Sequence, residues 1–118
     1  MIDSPQMPAN LLLMALPPGE YKRLIPYLKP VSLVLGEIVY EPKELIQEVY
    51  FPIGAMISLV SIMRDGSTTE IGLVGNEGMV GLPILLGDMY NTNRVIVQIE
   101  GPAMKMDGNI LRREFERG

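Results

Sequence analysis

The spacing of apolar residues changes once along the chain, from a helical period to a strand period. Tyr21, Leu24, Ile25 and Leu28 recur on one side of a helix, with Lys22 and Arg23 on the other. That spacing predicts a helix over Glu20–Leu28, weakened at Pro26, which removes a backbone donor. Ahead of it, Asn10 is placed to cap a short apolar turn, Leu11–Leu16, which Pro17 and Pro18 end. After Pro30 the alternation is that of strands. Val31, Leu33 and Leu35 alternate up to Gly36, and Ile38 and Tyr40 resume up to Pro42. Glu48–Pro52 reads as a short strand and Ala55–Met63 as a long one. Asp65-Gly66 is a strong hairpin turn, and Thr69, Ile71 and Leu73 alternate on the return.

The stretch from Asn76 to Gly87 does not alternate. It reads as a loop entering a short helical turn, with Pro83 near the first helical position. Asp88–Asn93 is polar and loop-like. Val95, Val97 and Ile99 predict another half-buried strand, Gly101-Pro102 a turn, and Met104 and Met106 the last short strand. Asp107 or Asn109 is placed to cap a terminal helix over Ile110–Arg117, whose apolar side carries Leu111 and Phe115. Seven or eight short strands between helical ends predict a mainly β fold, a small antiparallel barrel or jelly roll.

Composition narrows the chemistry. The chain has 118 residues, enough for one domain, and 47% of them are hydrophobic, enough for a core. Its 12 Gly and 10 Pro are spread throughout, as many short elements joined by turns require. Cys and His are absent. That removes disulfides, thiol nucleophiles, iron–sulfur clusters, the commonest general base and the usual haem ligand. The remaining acids do not cluster, so no catalytic residue and no metal ligand is assigned, and the chain is expected not to be an enzyme. Net charge is −4 with no basic stripe, so this segment is not expected to touch DNA itself. Met1–Asn10 lacks the pattern of a signal peptide and no apolar run approaches a membrane span, which predicts a cytoplasmic protein without membrane contact.

Two readings compete at each candidate position. Gly75, Gly78, Gly81 and Gly87 could cradle an anion on free N–H groups, or serve tight corners of the barrel. Arg94 could pair with a phosphate; alternation instead puts it opposite the core face of Val95 and Val97, as a solvated surface arginine. Glu70 is expected to be exposed, and Glu77 to cap backbone donors at the helical turn. The nine Met are read mainly as core filling rather than a pliable binding surface, and Tyr40, Tyr50 and Phe51 as packing.

Three stretches carry a resemblance: NLLLMALPPGEYKRLIPYL (Asn10–Leu28), LGEIVYEPKELIQEVYFPIGAMISLV (Leu35–Val60) and EIGLVGNEGMVGLPILLG (Glu70–Gly87). In this order they resemble the sensor domain of the Crp–Fnr superfamily of bacterial transcription regulators. The resemblance implies a cyclic-nucleotide-binding-type β-roll flanked by N- and C-terminal helices. It divides the chain into an N-terminal helical segment (1–29), the roll (30–107) and the start of a C-terminal helical region (108–118). In the family a long dimerisation helix and a helix-turn-helix DNA-binding domain follow. The chain is thus expected to be the sensor half of a homodimeric regulator that reaches DNA through a domain lying elsewhere.

The resemblance also places the ligand cassette. Family members that bind cyclic nucleotides begin a short helix with Gly-Glu, whose Glu takes the ribose hydroxyl, and an Arg further on neutralises the phosphate. Here the Gly is Gly81, Leu82 stands at the Glu position, Pro83 follows without an N–H, and the Arg position falls near Asn93, just before Arg94. A lost charge-assisted contact to phosphate costs about 1.5–3 kcal/mol. The expected site is Gly81, Leu82, Pro83 and Ile84 with Arg94 at the rim, taking a small effector that is less polar than cyclic AMP or cyclic GMP, or none. A ligand-free roll for dimerisation or protein contacts is the alternative. A cupin-like metalloenzyme is the remote third, since such sites rely mainly on His.

Overall fold

The computed structural model describes residues 9–117. The reading of Met1–Asn10 as lacking a signal peptide, and the start of the N-terminal segment, lie for the most part outside those residues. Two helices, α1 (Leu11–Met14) and α2 (Pro18–Leu24), are followed by a 3₁₀ turn at Ile25–Tyr27. Seven strands come next: β1 (Lys29–Leu33), β2 (Ile38–Tyr40), β3 (Glu48–Pro52), β4 (Met56–Ile62), β5 (Thr68–Val74), β6 (Arg94–Ile99) and β7 (Gly101–Asp107). A 3₁₀ helix, Leu82–Leu86, lies between β5 and β6, and α3 (Gly108–Arg117) closes the described chain.

The strands form two antiparallel sheets, ordered β1-β7-β3 and β2-β6-β4-β5. Both sheets feed one core. Leu33, Val49, Phe51, Ala103 and Met106 come from the first, and Tyr40, Ile57, Val95 and Val97 from the second, all buried. This is the expected mainly β roll with flanking helices.

Asn10 caps α1 as expected, accepting from Leu13 N at 3.0 Å. The second helix starts earlier and ends earlier than its apolar spacing predicts. Pro18 sits where a missing N–H costs nothing, and at Pro26 the α-helix has already given way to the 3₁₀ turn. β1 likewise begins before Pro30, which an edge strand tolerates.

Two expected core faces are corrected by the strand pairing. In the β4–β5 pair, Ile57 faces Val74 and Leu59 faces Gly72, so Val74 and Gly72 take the core side of β5. Ile71 and Leu73 lie on the other side, 54% and 47% exposed rather than half-buried. In the β4–β6 pair, Met56 faces Ile99 and Ile57 faces Val97, so Gln98 is the extra residue and Ile99 turns outward.

Gly101-Pro102 is not a turn but the start of β7, paired with Leu33 and Ser32. Gly is required there for close approach: a Cβ on Gly101 would lie 2.8 Å from Gly54 C. Pro102 O accepts from Ile53 N, Gly54 N and Ala55 N at 2.9, 3.0 and 3.3 Å, which holds the corner between β3 and β4. The methionines are also less internal than expected. Met79 and Met106 are buried, whereas Met14, Met63 and Met89 are exposed.

Candidate functional site

The candidate site is built on a bridge between the loop after β5 and strand β3. Tyr50 N donates to Val80 O at 3.0 Å and Val80 N to Tyr50 O at 2.8 Å. The bridge lays Gly81 against Val49. Gly81 has φ +100°, and a Cβ there would lie 2.8 Å from Val49 Cγ1. Only glycine meets both demands without strain.

The helix that follows is short and tied at both ends. Ile84 N donates to Gly81 O at 3.1 Å, Gly87 N to Ile84 O at 3.3 Å, and Asp88 N to Pro83 O at 3.0 Å. Ile84 is fully buried, and the first residue of α3, Gly108, packs on it; a Cβ at Gly108 would lie 2.7 Å from Ile84 Cδ1. Leu82, by contrast, is 51% exposed and Leu86 80% exposed. Pro83 contributes a carbonyl to the local network and has no N–H to offer an anion.

The polar loop before β6 is laid along residues 41–46. Ile46 N donates to Met89 O, Lys43 N to Asn91 O, and Asn91 N to Glu44 O, at 2.7, 2.6 and 2.8 Å. Buried Asn91 adds side-chain bonds to Glu41 O and Asn93 O. Residues 75–93 include Glu77 and Asp88 and no Lys or Arg. This segment itself therefore supplies no cationic side chain to an anion.

Arg94 is neither free for a ligand nor simply solvated. Its Nε donates to Glu41 Oε1 at 2.8 Å and its Nη2 to Glu41 Oε2 at 3.4 Å, with both side chains partly exposed. Gly81, Leu82, Pro83 and Ile84 are thus contiguous on one short helix, while Arg94 is held across β2 and β6. Glu77 accepts from Gly75 N at 3.3 Å, in the loop rather than at the helical turn.

Sequence reasoning missed Glu41 and the Ser58–Glu70 pair, in which buried Ser58 Oγ donates to Glu70 Oε1 at 2.7 Å. Glu41 directly follows β2, whose Tyr40 pairs with Val95. The strand pairing, which the sequence does not reveal, is what brings Glu41 beside Arg94. Two tyrosines under the site are perturbed. Burial, then the Glu48 carboxylate, pushes the Tyr50 phenol up to about 12. Burial also raises Tyr40, whose hydroxyl donates to Glu48 O at 2.6 Å. Among the described residues no cluster of acids could hold a metal ion, and no helix is long and apolar enough to cross a membrane.

No family model matches the sequence, and no curated protein matches it. Solved structures do resemble the fold. The N-terminal domain of a transcriptional regulator from Streptomyces coelicolor A3(2) superposes with a TM-score of 0.73 at 18% identity, covering 91% of this chain and 75% of that one. The catabolite activator protein of Thermus thermophilus gives 0.73 at 16% identity, over 90% of this chain and 50% of that one. The c-di-GMP responsive global regulator CLP of Xanthomonas campestris gives 0.70 at 15% identity, over 83% of this chain and 48% of that one. The chain thus spans about half the length of the last two. Its fold is that of the cyclic-nucleotide-binding β-roll domains.

Proposed function

We propose that this chain is the effector-sensing domain of a Crp–Fnr-like bacterial transcription regulator, and that cyclic AMP and cyclic GMP are not its signals. The regulatory reading is supported by neighbours that are themselves named as regulators. One of them is named as responsive to c-di-GMP. In this reading the domain is not an enzyme, works in the cytoplasm as part of a homodimer, and reaches DNA through a separate domain. An effector would shift the packing of the roll against α3 between two populated arrangements.

The observation that carries the ligand reading is the state of the cassette positions. An exposed leucine stands where a ribose acceptor is needed, a proline follows it, and Arg94 is engaged by Glu41. Thermal unfolding with cyclic AMP, cyclic GMP, cyclic dinucleotides and a metabolite panel tests it. A ligand at about a hundred times its Kd adds roughly 2.7 kcal/mol, a shift of several degrees. No shift is expected with cyclic AMP or cyclic GMP, and a clear shift with either overturns the reading.

A second reading, a ligand-free platform for protein contacts, is favoured by one observation. The roll interior is filled by its own side chains, with Val49, Ile57 and Ile84 fully buried. A null result across the whole panel, with self-association of the chain in sedimentation, would favour it.

A further inference from the structure

An apolar cleft of about 120 Å³ lies outside the cassette, where α1, α2 and α3 meet the roll. Leu12 and Leu24 line it from the first two helices, Met79 and Leu85 from the loop and 3₁₀ helix, and Leu111 and Phe115 from α3. Every lining atom that faces the cleft is apolar. A recess of about 60 Å³ continues from it toward the Arg23–Glu114 ion pair, whose Nε–Oε1 distance is 3.0 Å.

The chemistry of the lining selects the occupant. A buried water needs two to four polar partners, and an apolar cavity of about 150 Å³ stays dry and takes benzene. This cleft offers no polar partner inside. A nucleotide, a sugar or an amino acid entering it would lose its hydration with nothing in exchange. The volume admits one small ring and excludes a porphyrin or a long acyl chain. Phe115, largely exposed at the rim, can turn over such a ring and cover it.

We infer that this cleft is a binding site for a small apolar molecule, of the size and class of benzene to indole. The inference extends the sensor reading, and its regulatory meaning rests on that reading. Leu85 belongs to the cassette helix, Leu111 and Phe115 to α3, and Leu24 to α2. An occupant touches all three at once and fixes how α3 sits on the roll. Cassette residues Leu82 and Leu86 point elsewhere, into solvent.

Methyl-detected NMR of the chain, titrated with benzene, toluene and indole, tests the site. Saturable shifts are expected at Met79, Leu85 and Leu111, with none at Leu82 or Leu86, and with a rise in Tm. Leu85→Phe fills the cleft from the helix side. Leu12→Phe fills it from a partly exposed position that tolerates a larger side chain, so at least one variant should stay folded. Either folded variant should bind at least tenfold more weakly. Unchanged binding in folded variants, the absence of any saturable shift, or shifts centred on Leu82 and Arg94 would each overturn the assignment. So would concentration-dependent shifts at the same methyls without ligand, which would mean a second copy covers the cleft. Saturable binding that leaves the amides of Arg113 and Glu116 unmoved supports the site and counts against the sensor reading alone.

Discussion

Arg94 and Glu41, 53 residues apart in sequence, meet in a two-point contact, with Nε–Oε1 at 2.8 Å and Nη2–Oε2 at 3.4 Å. The pair occupies the arginine that follows the loop after the short helix. It also joins the end of β2 to the start of β6. Because its side chains are 34% and 45% exposed, water and salt screen it. Replacing Glu41 by Gln should therefore cost no more than about 1 kcal/mol. The loss should be visible as a lower Tm in dilute buffer and should shrink at high salt. Cyclic AMP should still give no thermal shift, since freeing the guanidinium leaves Leu82 and Pro83 in place. A nucleotide response in Glu41→Gln would show that the ion pair alone masks the site.

Gly81 and Gly87 bracket the same 3₁₀ helix and share a left-handed backbone, with φ +100° and +89°. Their surroundings differ. A Cβ at Gly81 would meet Val49 Cγ1 at 2.8 Å and Val49 Cα at 3.4 Å, whereas a Cβ at Gly87 meets nothing within 4 Å. Gly87→Ala should cost about 1–2 kcal/mol, the penalty for the left-handed conformation alone. Gly81→Ala should cost more, by about a further 1–3 kcal/mol for overpacking against β3. Urea denaturation of both variants measures the difference. Equal losses would mean the bridge at Val80 yields without cost.

Tyr50 sets a stability limit on the alkaline side. Its folded pKa is pushed up to about 12, mainly by burial and next by Glu48, from an ordinary value of 10.0. The folded state holds the phenolic proton more tightly than the unfolded chain does. The resulting stabilisation is fully present below pH 10 and is lost as pH rises from 10 to about 12. Tyr40 shifts in the same direction, also chiefly through burial. Absorbance titration should resolve at least one tyrosine ionising late. Tyr50→Phe should flatten the fall in Tm over that pH window, and an unchanged profile would assign the effect to Tyr40.

Much of this architecture was legible because its signals are local. Glu48–Pro52, read as a short strand, is β3 with its observed ends, Asp65-Gly66 gave the β4–β5 hairpin, and Pro83 gave the short helix before Gly87. What escaped depends on pairing. Ile71 and Ile99 alternate with their neighbours, yet pairing puts Gly72 and Val74 on the core side of β5, and a bulge turns Ile99 outward. Gly101-Pro102 has the composition of a turn and the role of a close strand crossing, since the backbone of Gly54 must approach it. At the candidate site, the short helix between Gly81 and Gly87 could be placed from its glycines and Pro83, whereas the choice of Gly81–Ile84 for a ligand came from the resemblance. The engagement of Arg94 by Glu41 could not be placed, because no local pattern brings β2 beside β6.

Asn10 does more than cap the four residues of α1. Its Oδ1 accepts from Leu13 N at 3.0 Å, while its Nδ2 donates to Pro52 O at 2.8 Å and Gly78 O at 2.9 Å. One buried side chain thus joins α1, the end of β3 and the loop that leads to Gly81. Leu11 N adds a 2.6 Å bond to Asn76 O in the same loop. Removing the cap costs about 0.5–2 kcal/mol, and each buried carbonyl left without a donor costs about 1–3 kcal/mol more. Asn10→Ala should therefore destabilise the chain by about 3 kcal/mol or more. Asn10→Asp retains the cap acceptor and loses both donors, so it should recover the α1 share only. Hydrogen exchange separates the two roles: in Asn10→Asp the Leu13 amide should stay protected while Val80 and Ile84 open faster. Equal protection at Val80 and Ile84 in both variants and the parent would show that α1 and the cassette loop are held independently.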